Sequence, residues 1–497
     1  MITLIKQKKE LLIIVLFSCF ISFISFGSSP IVYNNACDTN VFVIMGRALA
    51  SGKIVYKDIF DHKGWYLYLF YALGALISNN SELGIYFVES LFFVLESIVI
   101  FKITSLFLNE QNSLIATFCM IFLGTFKHIG LYRGTTEGFV VLFSYISIYY
   151  LLKYCKTRDL INSMHPPIYM LIHGICGGIA FGIKANYILM WIPIPIFVIY
   201  DLLRHKVFYL AIKNVLFGLY GVLISWCPMI IYAFSTDSFR DMYFCSIKFN
   251  MLYSSDNSGA LYMLNHILQS DAILIILIIF FASLFSIIIS HQLDKDSKIC
   301  FVFMAILVLF GCLIGGRVYS HYFLCIVPFC VFFVVELFGN RKINKIIHSI
   351  NPLIIIVGIM ILFLLINKSL VNNIIESRSI NNSNDLIKTI QTSIDNIETA
   401  SVLSTGNNAD MYINLGILPK EKYFYIPSIS YSSFPDAIDS QVSSIINNDI
   451  DILIINGNNG HSIYGIDTID PLVWSALDSR YHIIYDDENT LVYQKNK

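Results

Sequence analysis

Apolar residues dominate stretches near 10–29, 84–106, 113–129, 134–152, 168–184, 186–202, 209–234, 270–290, 299–315, 320–338 and 351–370. A helix needs about 20 apolar residues to cross a bilayer's hydrocarbon. The pattern therefore predicts about eleven transmembrane helices, the shorter ones accommodated by polar flanks or local thinning. Lys184-Ala185-Asn186 has two readings, a tight hairpin between two spans or an interruption within one broken helix. Beyond residue 370 the pattern changes. Residues 371–385 include an Asn/Ser-rich connector, 400–406 and 451–457 read as short strands ending in glycine turns, and 386–398 and 436–448 read as helices. A final strand pair, 481–485 and 490–493, is expected around the turn Asp486-Asp487-Glu488-Asn489. The chain divides into a helical domain, 1–370, and a small α/β domain, 386–497, whose glycines lack the spacing of a nucleotide site.

Hydrophobic residues fill 56% of the 497 positions against 13% charged, more apolar surface than a soluble fold of this length can bury. The fold class is thus a polytopic α-helical membrane protein. The N-terminal lysines precede an apolar run that continues through about residue 28 without a small-x-small cleavage site, so it reads as a retained first helix. Lys6, Lys8 and Lys9, then Lys153, Lys156 and Arg158, then Arg204 and Lys206, then Lys295 and Lys298, then Arg341, Lys342 and Lys345 fall in alternate loops. The positive-inside bias makes these loops and the N-terminus cytoplasmic. An odd number of spans then places 371–497 outside the cell membrane, as an extracytoplasmic domain. A formal charge of −1 without long charge blocks leaves nucleic-acid binding without support. Only Cys37 and Cys245 lie in outer loops, so no disulfide framework is expected.

This topology gathers polar residues on the outer face: from 30–83, from the turn with Lys127, His128 and Arg133, from 235–269, and from the turn with Arg317 and His321. Charges at helix ends beside hydrocarbon are expensive and read as functional by default. Asp38 either caps the run 41–50 or stands just above the hydrocarbon as a base. Lys63, within Tyr56-Lys57-Asp58-Ile59-Phe60-Asp61-His62-Lys63-Gly64, is a compact cation suited to phosphate, and snorkelling is its plainer explanation. Asp58, Asp61 and His62 read as shaping that loop, with Phe60 and the aromatic run 65–71 pressed against the membrane interface. Arg133 and Glu137, one helical turn apart, form either a local ion pair or a centre in which the carboxylate orients the acceptor, the base or a metal. Arg317 is equipped to donate two parallel hydrogen bonds to phosphate, beside His321 and Tyr322; an interfacial arginine–tyrosine anchor is equally cheap. No tight metal-ligand cluster appears and no cofactor is required; a divalent cation bridged by Asp38 and Glu137 is left open.

Asp38, the segment 46–64, Arg133 through Glu137, and Gly316-Arg317-Val318-Tyr319-Ser320-His321-Tyr322 together resemble the GT-C superfamily of polyprenyl-phosphate-sugar glycosyltransferases. The likeness is to the glycosyltransferase 39-like branch, with its protein O-mannosyltransferases and lipid A aminoarabinose transferases, and it runs through residues 1–370. It implies a GT-C fold and an inverting sugar transfer from a polyprenyl-phosphate carrier on the outer membrane face. Asp38 matches the first-loop catalytic acid, Lys63 the lysine that contacts carrier phosphate, and Glu137 the second acidic position, with Arg317 and Arg133 as further phosphate contacts. Trp65 stands where many relatives have proline, and Glu137 where related enzymes often carry aspartate.

The implied partners are a polyprenyl-phosphate-linked sugar, membrane lipid and an acceptor. A cell-envelope glycan or glycolipid is preferred as acceptor over protein. Two other classes compete. A transporter of lipid or glycan predicts polar pairs in mid-span and an internal repeat, whereas these charges gather at outer helix ends. A non-enzymatic envelope-binding protein accounts for 371–497 and leaves the outer polar centres without work.

Overall fold

The structure is a computed structural model that describes residues 2–32, 37–130, 133–158, 164–256, 259–350, 352–367, 382–406, 409–456, 463–487 and 490–496. Every apolar stretch of the sequence yields helix. Helix α1 (Ile2–Ser25) leads to two short helices, α2 (Cys37–Ala50) and α3 (Trp65–Ile77), and then to α4 (Leu83–Thr104) and α5 (Glu110–Leu123). A single turn, α6 (Lys127–Gly130), precedes α7 (Thr136–Thr157) and α8 (Pro167–Ile183); a 3-10 turn (Ala185–Trp191) enters α9 (Pro193–Arg204), followed by α10 (Phe208–Ser235). The next loop is itself helical: α11 (Phe239–Tyr243), a π turn (Phe244–Lys248), α12 (Phe249–Ser255) and α13 (Ala260–Gln269). Last come α14 (Asp271–Ile289), α15 (Lys295–Leu313), a 3-10 segment (Ser320–Cys330) running into α16 (Val331–Gly339), α17 (Arg341–Ser349) and α18 (Pro352–Ile366).

Seven helices among the described residues are long and apolar enough to cross a membrane, so the chain is a multi-pass membrane protein. The remaining predicted spans are α1, α5, α8 and α18; α5 stops at Gly124 and α8 at Lys184, after 14 and 17 residues. Lys184 is extended (φ −159°, ψ 116°), and Tyr154 reaches both ends of the unit it links, packing on His165 before α8 and bonding Asp201 late in α9. The segment is therefore a hairpin, not one broken helix. Helices α8 and α10 pack through Gly174, Gly178, Gly218 and Gly221, where a β-carbon would meet the opposing helix. Small residues are what permit close helix packing where lipid supplies no hydrophobic drive.

The two ends of the bundle differ. At one end Arg158 binds Asp201, Asp294 (2.8 Å) and Asp296 (3.4 Å), and Arg204 binds Asp296 (2.8 Å), which ties the ends of α7 and α9 to the α14–α15 turn. Arg158, Arg204, Asp294 and Asp296 lie at the loops that sequence charge groups together. Glu137, at the other end of α7, lies beside Lys184 and His321, and Asp61 and Asp256 of the outer loops meet the α/β domain.

That domain carries a four-stranded sheet of order β1-β2-β4-β3, from β1 (Val402–Ser404), β2 (Ile452–Asn456), β3 (Tyr481–Asp486) and β4 (Thr490–Lys495). β1 pairs parallel with β2, while β4 pairs antiparallel with both β2 and β3. The strands and the helices Asn382–Ser393 and Asp436–Ile446 fall where the sequence placed them; Asp410–Leu415 and Asp470–Arg480 are additional helices. The expected connector lies outside the described residues as far as 381.

One expectation is corrected. The aromatic run at 65–71 does not lie against a membrane interface: in α3, Trp65, Tyr66, Tyr68, Phe70 and Tyr71 are buried in the protein core. Phe60 likewise packs on Phe249 and on Tyr423, Tyr425 and Phe434 of the α/β domain.

Candidate active site

Asp38 lies in the first turn of α2 and is exposed, so it is inside the helix rather than before it as a cap. It is within electrostatic reach of His62, His321 and Tyr322, which come from two distant parts of the chain.

Lys63 sits where the loop turns into α3. Gly64 donates its N–H to the Ile183 carbonyl at 2.9 Å, and a β-carbon on Gly64 would collide with the Gly182 carbonyl. Only glycine lets the loop touch the end of α8 this closely. The Lys63 backbone is held on both sides, its N–H on the Tyr68 hydroxyl and its carbonyl under the Tyr56 hydroxyl, both at 2.9 Å. The Lys63 ammonium lies 2.6 Å from His62 Nε2 and 5.8 Å from the Phe42 ring centre. His62 rests against the rings of Phe249 and Tyr253, with its Nδ1 3.2 Å from Asp61 Oδ1. Burial and the Lys63 ammonium outweigh Asp61 and push the His62 imidazole below its ordinary pKa, so the neutral ring accepts from the ammonium on Nε2. Burial alone would raise Asp61; the Lys63 ammonium and hydrogen bonds from His62 and Tyr425 hold its carboxyl well below the usual carboxylate range. Asp58 accepts from the Ile54 N–H at 2.7 Å, a bond that shapes the turn.

Glu137, at the start of α7, is fully buried. Its Oε1 receives Lys184 at 3.3 Å and the Tyr187 hydroxyl, while Oε2 lies 3.9 Å from His321 Nε2 and has no hydrogen-bond donor among the described residues. Lys184 also lies 3.8 Å from the Tyr322 ring centre. Tyr322 packs edge-on against His321, and Tyr319 stacks on it. Arg317 lies 4.0 Å from the Tyr253 ring centre and donates to the Asp256 carbonyl at 3.2 Å, with the Asp256 carboxylate at 3.7 Å. Tyr253 thus stands between His62 and Arg317, and its ring links the Lys63–His62 pair to the Arg317 guanidinium.

Arg133 is not part of this group. Its backbone is left-handed (φ 25°), and its guanidinium forks onto Glu96 of α4 at 2.7 and 3.0 Å above the Phe93 ring. Both the phosphate contact and the local Arg133–Glu137 pair expected from the sequence are therefore replaced. Of the two carboxylates proposed to bridge a divalent cation, Glu137 carries Lys184 on its Oε1. No group of three or more His, Cys, Asp or Glu among the described residues is arranged to hold a metal ion.

In the sequence Lys184 marks either a hairpin or a break within one helix, and no site role. The signal for more was present, a lone lysine between two apolar runs. Tyr187, Tyr253 and Asp256 carried no such signal.

Over 97% of this chain and 97% of the other, the fold matches that of ArnT from Cupriavidus metallidurans bound to undecaprenyl phosphate, with a TM-score of 0.67 and 11% identity. Its apo form matches at 0.63, with 11% identity and 98% of each chain covered. The archaeal oligosaccharyltransferase AglB from Archaeoglobus fulgidus, in complex with an inhibitory peptide and a dolichol-phosphate, matches at 0.51 and 10% identity, over 99% of this chain and 75% of that one. No curated protein sequence matches. The chain is a multi-pass membrane protein with the fold of ArnT and AglB, the GT-C-type fold that the sequence resemblance implies. More particularly, residues 62–232 match the family model described as dolichyl-phosphate-mannose-protein mannosyltransferase. That region contains His62, Lys63, Glu137 and Lys184; Asp38 and Arg317 lie outside it.

Proposed function

We propose that the protein is an inverting glycosyltransferase that moves a sugar from a polyprenyl-phosphate carrier to a cell-envelope glycan or glycolipid on the outer membrane face. The observation that carries this reading is the convergence of an exposed carboxylate, Asp38, with Lys63 and Arg317 around the His62–Tyr253 wall at one end of the bundle. The undecaprenyl phosphate bound in the similarly folded ArnT structure adds support for the carrier class.

In the proposed step Asp38 takes the proton from an acceptor hydroxyl, whose oxygen attacks the anomeric carbon opposite the phosphate. The bond from that carbon to the phosphate oxygen breaks, and its electron pair leaves with polyprenyl phosphate. The transferred sugar is inverted. The departing phosphate gains a negative charge, which Lys63 and Arg317 stabilise; preorganised charge of this kind is commonly the largest catalytic term. Glu137, fixed by Lys184 and Tyr187 and beside His321, holds those side chains in place on the acceptor side of the site. The arginine- and lysine-rich end of the bundle faces the cytoplasm in this reading, by the positive-inside bias.

Mass spectrometry of envelope glycans from cells carrying the parent protein or Asp38→Asn identifies sugar and acceptor together. One glycan class is expected to lose a sugar in the variant. Identical glycans with both proteins, when the protein is present and its carrier is made, would overturn the reading.

A further inference from the structure

One segment of the α/β domain, residues 419–430, reaches both phosphate-facing cations at second hand. The Tyr425 hydroxyl donates to Asp61 Oδ1 at 2.5 Å, the same oxygen that His62 Nδ1 meets at 3.2 Å, and His62 Nε2 lies 2.6 Å from the Lys63 ammonium. Tyr68 donates to the other oxygen of Asp61 at 2.7 Å, so the carboxylate is clasped from the membrane domain and the α/β domain together. A few residues on, the Ser430 N–H donates at 2.7 Å to Asp256 Oδ2, the carboxylate that lies 3.7 Å from Arg317.

The segment is fastened on both sides. On the membrane domain, the Phe60 N–H bonds the Lys422 carbonyl at 2.9 Å, and the Lys53 ammonium bonds the Pro419 carbonyl at 2.5 Å. On its own domain, the Ile426 N–H bonds the Gly406 carbonyl at 3.0 Å, and Gln441 bonds the Tyr423 carbonyl at 2.8 Å.

We propose that this segment is a positioning strap: it orients Lys63 through Tyr425, Asp61 and His62, and Arg317 through Ser430 and Asp256, so that docking of the α/β domain completes the phosphate site. The proposal rests on the reading of Lys63 and Arg317 as carrier-phosphate contacts. Lysine carries a flexible stem and a point charge, so its direction must be set by its neighbours. With Asp61 accepting from Nδ1, the imidazole presents Nε2 as an acceptor, which fixes where the ammonium points. Ordering the two cations before the phosphate arrives removes that ordering cost from binding. Tyr425 and Ser430 are positioning residues; neither needs to touch the carrier.

The test is binding of a long-chain polyprenyl monophosphate to the full chain in lipid nanodiscs, which needs neither sugar nor acceptor. Tyr425→Phe keeps the ring against Phe60 and removes only the hydroxyl. It is expected to weaken binding about tenfold, the scale of one hydrogen bond to a charged group. The same change in a Lys63→Ala background is expected to cost nothing further, because the two act through one cation. Asp256→Ala is expected to weaken binding by a similar factor through Arg317. Parent-like binding by Tyr425→Phe, or an equal loss with and without Lys63, would overturn the Lys63 arm; the second pattern is also what a merely unfolded loop gives. Parent-like binding by Asp256→Ala would overturn the Arg317 arm. Failure of the parent protein to bind would instead overturn the glycosyltransferase reading on which the strap depends.

Discussion

Asp38 and Glu137 are carboxylates in opposite settings, and the settings suit them to different roles in the proposed step. A proton acceptor has to be open to the incoming hydroxyl, which exposed Asp38 is; Glu137 is buried and bound to Lys184 and Tyr187. Removing the partner of a buried charge costs about 3–5 kcal/mol. Lys184→Met is therefore expected to lower the thermal stability of the protein, and Glu137→Gln in the same chain to recover part of it; a loss unchanged by the second substitution would contradict the pairing. Asp61 adds a pH signature. Its depressed folded-state pKa means its contribution to stability is complete above the unfolded value of about 3.9 and fades as pH falls toward the folded one. Asp61→Asn is expected to melt below the parent at pH 7, with the gap narrowing only below about pH 4. A gap constant across that range would remove the charge of Asp61 from the account. Asp38, Lys63 and Glu137 were legible in the sequence because charges beside hydrocarbon are costly enough to stand out. The partner of Arg133 was not, since Glu96 lies 37 residues earlier on another helix.

At the scale of elements, the site depends on three short connections more than on the long helices. The Lys63-Gly64 turn rests on the end of α8, the Lys184 hairpin brings an ammonium to Glu137, and the Arg133-Gly134 turn enters α7 through left-handed backbone (φ 25° and 81°). Gly64→Ala tests the first. Forcing a methyl into a packed contact typically costs about 1–3 kcal/mol, and here the strain falls on the residue that carries Lys63. A raised KM for the carrier with little change in the KM for the acceptor is expected; equal changes in both would point to general loosening. Apolar runs revealed the helices because membrane spans must be apolar throughout. They did not reveal that the aromatic run at 65–71 is a buried helix, since an interfacial belt and a packed core call for the same residues.

For the whole molecule, charge separates the two ends, and the α/β domain covers the end that holds the site. Ser440→Cys, labelled in intact cells by a reagent that does not cross membranes, reports which side that domain occupies. Labelling is expected, and protection would reverse the orientation. The domain itself was readable from its strands and glycine turns, yet its contact with the site was not. Tyr425 and Ser430 belong to no motif, and only the folded chain brings them to Asp61 and Asp256. We propose that this end of the bundle transfers sugar from a polyprenyl phosphate. It is tested most directly by incubating purified protein with a polyprenyl-phosphate sugar and an envelope glycan or glycolipid, and measuring release of free polyprenyl phosphate. Acceptor-dependent release is expected, falling by about 10²–10⁴-fold in a folded Asp38→Asn protein, the usual contribution of a general base. Equal release by parent and variant would contradict it.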